Sequence, residues 1–136
     1  LLFLGNFWMA SIQLSVVIAS AQPKKLSEFY AFATNGDVKA GMNDDHYLIC
    51  HQNGVNIQIY RAASKKSSSA RRSVGTLCLQ QPPSLNPLLS IIEWSEKLLS
   101  HGAIIEEPPS QESFGVELWI ADPEGNYFLI FVPKCL

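Results

Sequence analysis

The chain has 136 residues, enough for one domain with a real core and too few for two ordinary ones. Hydrophobic residues make up 47% and charged ones 16%, which excludes a disordered chain and requires much apolar surface to be buried, so a homodimer is expected. A formal net charge of −2 supplies no global attraction for nucleic acid or an anionic membrane, and neither is expected as a partner.

The apolar start, Leu1 to Ala21, ends in Ala19-Ser20-Ala21, which imitates a signal cleavage site. No Lys or Arg precedes Lys24, however, and Gln13 and Ser15 interrupt the run that a membrane span needs unbroken. Residues 1–11 are read as an N-terminal extension, with Leu1 to Trp8 outside the fold, and 12–133 as a single domain. From Ile12 to Ala19 apolar residues alternate, a strand with Ile12, Leu14, Val16 and Ile18 on one face. Pro23 opens a helix in which Leu26, Phe29, Tyr30 and Ala33 recur at helical spacing until Asn35-Gly36.

Val38 to Met42 is a weak strand, followed by Tyr47 to His51 and Val55 to Tyr60 around Asn53-Gly54, a hairpin signal. With Asn53 and Gly54 as the two central turn residues, His51 faces Asn56, Ile49 faces Gln58 and Tyr47 faces Tyr60. That register puts Tyr47, Ile49, His51, Asn56, Gln58 and Tyr60 on a common front, and Leu48, Cys50, Val55, Ile57 and Ile59 behind it.

The basic, serine-rich stretch 61–73 has no periodicity and reads as a solvated linker between module one (12–60) and module two (74–133). In the second module Val74 to Gln80 reads as a strand. Asn86-Pro87 then opens a helix carrying Leu88, Ile91, Ile92, Trp94, Leu98 and Leu99 to a stop at Gly102. Ala103 to Glu106 is a short strand, and Glu117 to Ala121 enters a last hairpin whose turn is Asp122-Pro123-Glu124-Gly125-Asn126. Cys50, Cys78 and Cys135 are odd in number and lack metal-knuckle spacing, so they read as free thiols of a reducing, cytoplasmic protein.

Each half is strand, helix, then three strands, an α+β duplication of βαβββ type. Neither half alone has strands enough to hide its front, so the two are expected to build a curved, half-barrel mixed sheet around a cavity. The Asp-Pro-x-Gly-Asn turn with its following strand, and Glu28-Phe29-Tyr30 on the first helix, resemble the vicinal-oxygen-chelate superfamily, the group of glyoxalases, bleomycin-resistance proteins and extradiol dioxygenases. That resemblance covers about Ile12 to Pro133 and implies the same fold.

In metal-using members of that superfamily, His, Gln and Glu on the first, fourth, fifth and eighth strands hold a divalent ion. Carried over by the matching motifs, those positions are Ser15, Gln58, Thr76 (or Gly75 one residue earlier) and Leu129. A neutral amide and two hydroxyls cannot offset dehydration of such an ion, so no metal and no cofactor is expected there. Two function classes remain. The first is binding of a small organic molecule in a cavity lined by Gln58, Tyr60, Thr76, Trp119, Tyr127, Leu129 and Phe131. The second is a lyase, isomerase or dioxygenase with a relocated metal at His51 and Glu117, or a metal-free acid/base site using those two with Tyr47 or Tyr60 as donor. Cys78 beside Thr76 has no neighbouring cation to activate it, and His46 and His101 carry no ligand pattern.

Overall fold

The structure, a computed structural model, describes residues 15–61 and 76–136. The N-terminal extension, the start of the first strand at Ile12 to Leu14, the linker beyond Arg61 and the strand start at Val74 and Gly75 lie outside the described residues.

Alternation along β1 (Ser15–Ser20) sends Val16 and Ile18 inward and leaves Ser15 and Val17 exposed. Pro23 then takes the first turn of α1 (Pro23–Thr34), where its missing N–H costs nothing. Leu26, Phe29 and Tyr30 lie on one buried stripe of that helix. Asn35 ends it in the left-handed region at φ 54°, which lets the Gly36 N–H reach the Ala31 carbonyl at 2.9 Å. β2 (Asp37–Ala40), β3 (His46–Cys50) and β4 (Asn56–Arg61) complete the first half, so Arg61 belongs to a strand and not to the linker. The second half runs β5 (Cys78–Gln80), α2 (Pro87–Ser100), β6 (Ser110–Glu112), β7 (Gly115–Ala121) and β8 (Tyr127–Pro133). Asn86 caps α2 by accepting the Leu89 N–H at 3.2 Å.

The fold is α+β with the βαβββ unit used twice. The sheet orders are β1-β4-β3-β2 and β5-β8-β7-β6, with the first strand of each unit parallel to the last and the other pairs antiparallel. Each half keeps its own four-stranded mixed sheet, and neither sheet closes into a barrel.

Three local expectations are corrected. The Ala103 to Glu106 stretch makes only a bridge between Ile104 and Ala121. The strand beside β7 is instead Ser110–Glu112, wholly exposed and so without the apolar alternation that marks a strand in sequence. On α2, Ile91 and Leu98 are buried, whereas Ile92 and Leu99 face outward.

The third correction is the β3–β4 register. Leu48 faces Gln58, Ile49 faces Ile57 and His46 faces Tyr60, one residue off the expected pairing. The cause is the turn. Gly54 donates to the His51 carbonyl at 3.1 Å and alone takes positive φ, at 88°, so Gln52 and Asn53 are its central pair and Gly54 follows in the left-handed position. That adds one residue to the connection and turns every β3 side chain to the other face. The β7–β8 turn has the same construction: Gly125 donates to the Asp122 carbonyl at 2.9 Å and sits at φ 89°.

One core joins both halves. Ile49, Ile57 and Ile59 of the first sheet and Leu118, Ile120 and Ile130 of the second are buried, each side chain contributing about 1.5–3 kcal/mol relative to exposure. Phe29, Tyr30 and Phe128 meet edge-on in the same core, with ring centroids of Tyr30 and Phe128 6.0 Å apart. The β7–β8 turn is tied to the first half by Tyr30, whose hydroxyl donates to Asp122, and by Glu124, which accepts from the Ser20 hydroxyl and the Ala21 N–H. No helix among the described residues is long and apolar enough to cross a membrane.

Candidate functional site

The face of the first sheet turned away from α1 carries the polar side chains. β1 and β4 run parallel with Ser15 beside Asn56 and Val17 beside Gln58, so Ser15, Val17, Gln58 and Tyr60 share that face. The shifted register brings His46 onto it, opposite Tyr60. A groove of about 770 Å³ opens there, with Val17, His46, Gln58 and Tyr60 on its sheet floor and Met42 to Asp45 with Arg61 around it. Ligand pockets typically span roughly 300–1,000 Å³.

Its polar floor is connected. The Met42 N–H donates to His46 Nδ1 at 2.9 Å, His46 Nε2 lies 3.0 Å from Gln58 Oε1, and Gln58 Nε2 donates to Ser15 Oγ at 2.8 Å. His46 is only 8% exposed, and the backbone of Gly41 closes over its ring so tightly that a Cβ at that position would overlap it. At the rim, Arg61 Nε pairs with Asp45 Oδ2 at 3.1 Å and the guanidinium also donates to the Ala21 carbonyl at 2.7 Å. The Asp45 carboxylate holds the Arg61 guanidinium above its ordinary pKa. Both groups are solvated, so the pair orders the rim more than it stabilises the fold.

Three residues expected on this face, Tyr47, Ile49 and His51, stand elsewhere. Tyr47 and His51 share the side of Ile49, toward α1, because the turn shifts the register. His51 Nε2 lies 2.6 Å from Thr34 Oγ1 at the end of α1, and its Nδ1 lies 2.6 Å from the Val55 carbonyl, a local clasp around the turn. His51 therefore lies off the groove face, with both ring nitrogens engaged locally. The residue missed in the sequence is His46.

The corresponding face of the second sheet carries Glu117 opposite Phe131 and Trp119 opposite Leu129. Cys78 stands beside Leu129 on β5. Trp119 is 41% exposed and Tyr127 54%, so this face is open and aromatic. Thr76 donates its hydroxyl to the Tyr127 carbonyl at 2.8 Å, and the Tyr127 hydroxyl donates to Glu106 at 2.6 Å. That hydrogen bond, with the Glu106 charge, pushes the Tyr127 phenol up. Desolvation, and next the Glu117 carboxylate, push the Cys78 thiol up, which leaves it a poor nucleophile at neutral pH. Among the described residues none of the second module lines the first-sheet groove, so the side chains expected around one cavity are split between two faces of this chain.

The positions where a divalent ion would be held present a hydroxyl at Ser15, an amide at Gln58, a hydroxyl at Thr76 and an alkyl group at Leu129. The Thr76 hydroxyl is already committed to a backbone carbonyl. This neutral set does not fit such an ion. Among the described residues no group of three His, Cys, Asp or Glu side chains is arranged to hold a metal.

Neither a protein-family model nor a curated protein sequence matches the chain. Solved structures do match its fold. A glyoxalase/bleomycin resistance protein/dioxygenase family enzyme from Burkholderia phytofirmans superposes with a TM-score of 0.65 at 14% identity, over 88% of this chain and 96% of that one. A glyoxalase-related enzyme from Fulvimarina pelagi gives 0.61 at 14%, over 89% and 86%. Lactoylglutathione lyase from Agrobacterium tumefaciens gives 0.60 at 12%, over 90% and 93%. Paired βαβββ units, the Asp122 turn docked on Tyr30, and these superpositions together give the chain a glyoxalase/bleomycin-resistance-like fold.

Proposed function

We propose that the protein binds a small, partly aromatic or apolar organic molecule in the groove on its first sheet, without a metal at the superfamily's usual positions. The observation that carries this reading is the groove floor: a hydrogen-bonded row from buried His46 through half-buried Gln58 to exposed Ser15, where a metal-using protein of this fold would need charged ligands, flanked by Val17 and Tyr60. A few fixed polar groups beside apolar walls suit an organic ligand better than a hydrated ion.

We further propose a homodimer in which the open second face, with Trp119, Leu129 and Phe131, completes the binding site. Its exposed Trp119 and Tyr127 support that reading, since a sheet face of this kind is more apolar than solvent favours. A reducing, cytoplasmic setting suits three unpaired cysteines.

The experiment is a thermal-shift screen of small aromatic compounds in the presence and absence of a chelator, with sedimentation to give the oligomeric state. Stabilisation that survives the chelator and is lost in Trp119→Ala supports the reading. A stoichiometric divalent ion in the purified protein, required for stabilisation, would overturn it in favour of a metal-dependent lyase, isomerase or dioxygenase.

A further inference from the structure

We infer that β2 is a pairing edge: two copies of the chain join antiparallel through it, with Val38 of each on the two-fold axis and Asp37 of each beside Lys39 of the other. The inference goes beyond the ligand reading above and uses a different surface from the Trp119 face.

β2 is the outermost strand of the first sheet, and among the described residues no strand pairs with its far edge. Asp37, Val38, Lys39 and Ala40 are all exposed. The hydrogen bonds to β3 decide which backbone groups that edge offers. Gly41 donates to the His46 carbonyl at 2.8 Å, and the same ladder sets Lys39 opposite Leu48 and Asp37 opposite Cys50. Alternation then makes Asp37, Lys39 and Gly41 the residues bonded to β3, and turns the N–H and C=O groups of Val38 and Ala40 outward.

A second antiparallel copy of β2 can bond there only where its own outward residues meet these, so the two-fold axis must pass through a residue and not between two. Centred on Asp37, the pairing sets two carboxylates opposite each other, and centred on Lys39 it opposes two ammonium groups. Centred on Ala40 it leaves both charges without a counterpart. Centred on Val38, it lets Val38 exchange both backbone hydrogen bonds with its copy and sets Asp37 opposite Lys39 twice, in the non-hydrogen-bonded pairs where side chains come closest. Lysine on an edge strand ordinarily discourages pairing, and here the carboxylate two residues away lifts that barrier in one register. The other outermost strands have no such device: β1 and β5 carry no charged residue, and β6 only Glu112.

Val38, 40% exposed beside Ile49, would gain an apolar neighbour in its own copy. Because the axis stands perpendicular to the sheet, the joined sheet has four strands from each copy and keeps both grooves on one face. A ladder this short buries less than the roughly 1,200 Å² of a stable interface, so the pairing is reversible, and its exposed charges make it sensitive to salt.

Val38→Cys, in a chain with Cys50, Cys78 and Cys135 replaced by Ser, is expected to form a covalent dimer under mild oxidation. Opposed residues of a hydrogen-bonded pair stand about 5.5 Å apart at Cα, within disulfide reach. Ala40→Cys, which faces Gly36 of the other copy, is expected to cross-link roughly tenfold more slowly. Sedimentation equilibrium on the Trp119→Ala chain, which lacks the other proposed interface, reads the association itself. Lys39→Asp and Asp37→Lys are each expected to weaken it by roughly tenfold, and the two together to restore it, which damage to the fold would not do. Cross-linking through Asp37→Cys or Lys39→Cys in place of Val38→Cys, or association indifferent to the single charge changes, overturns the inference and leaves the Trp119 homodimer intact. A wild-type chain that stays monomeric at every concentration overturns both assemblies and leaves ligand binding untouched.

Discussion

The Tyr30 hydroxyl donates to Asp122 Oδ2 at 2.7 Å, joining the first helix to the last hairpin turn across 92 residues of sequence. Asp122 is fully buried and also accepts the Glu124 and Asn126 backbone N–H groups and the Asn126 side-chain amide. The two most telling stretches of the sequence, Glu28-Phe29-Tyr30 and Asp122-Pro123-Glu124-Gly125-Asn126, are therefore one hydrogen-bonded cluster. Tyr30→Phe keeps the ring packing and the three other donors to Asp122 but removes one of the hydrogen-bond ties between the halves, leaving Glu124 on Ser20 and Ala21. Chemical denaturation is expected to register a loss of about 1.5–3 kcal/mol.

The same pair sets an alkaline limit. Burial, and then Asp122, push the Tyr30 phenol far above its ordinary value of 10.0. The unfolded chain releases that proton near pH 10 while the folded chain retains it, so the contribution is fully present below about pH 10 and is lost as pH rises above it. Stability measured against pH is expected to fall more steeply above that point in the wild-type protein than in Tyr30→Phe.

Gly54 offers a backbone test with no confounding contact. It sits at φ 88°, and a Cβ added there meets nothing within 4 Å. Gly54→Ala is expected to cost about 1–2 kcal/mol from the left-handed conformation alone. An equal loss is not expected for Asn53→Ala, because Asn53 lacks positive φ.

At Gly41 the effect is steric and reaches the groove. A Cβ would overlap the His46 ring, so Gly41→Ala is expected to displace His46 from Gln58, destabilise the fold by about 1–3 kcal/mol and weaken binding of aromatic ligands. Denaturation and calorimetry on the same preparation check both effects.

Cys78 is expected to alkylate more slowly at pH 8 than an unperturbed thiol, measured with Cys50 and Cys135 replaced by Ser. Thiolate formation is opposed first by desolvation and second by the Glu117 charge. Glu117→Gln is therefore expected to raise the rate without restoring it fully.

Much of the frame was legible because local chemistry and tertiary packing agree. Pro23 and Asn35 bound α1, Asn86 and Pro87 open α2, and Leu118 with Ile120 fix the faces of the last hairpin through simple alternation. Ser15 and Gln58 were reached through the superfamily resemblance. His46 was not, because Asn53-Gly54 fits two turns of different length, and a difference of one residue exchanges His51 for His46 on the groove face. Glycine at the left-handed position after Gln52-Asn53 was the alternative that the same letters allowed. β6 gave no signal at all, since Ser110, Gln111 and Glu112 are exposed and pair only through their backbone. Separation of the two polar faces is a property of how the sheets sit, which periodicity within one strand does not encode.

The two hairpin turns share a backbone solution that their side chains do not. His51-Gln52-Asn53-Gly54 and Asp122-Pro123-Glu124-Gly125 share only their final glycine, yet those glycines sit at φ 88° and 89° and close matching hydrogen bonds. The other turn positions differ, and one turn is clasped to its own helix while the other is tethered across the halves. A backbone angle that only glycine tolerates well thus fixes the same bend in both units, and the letters around it are left to decide which neighbour each turn holds.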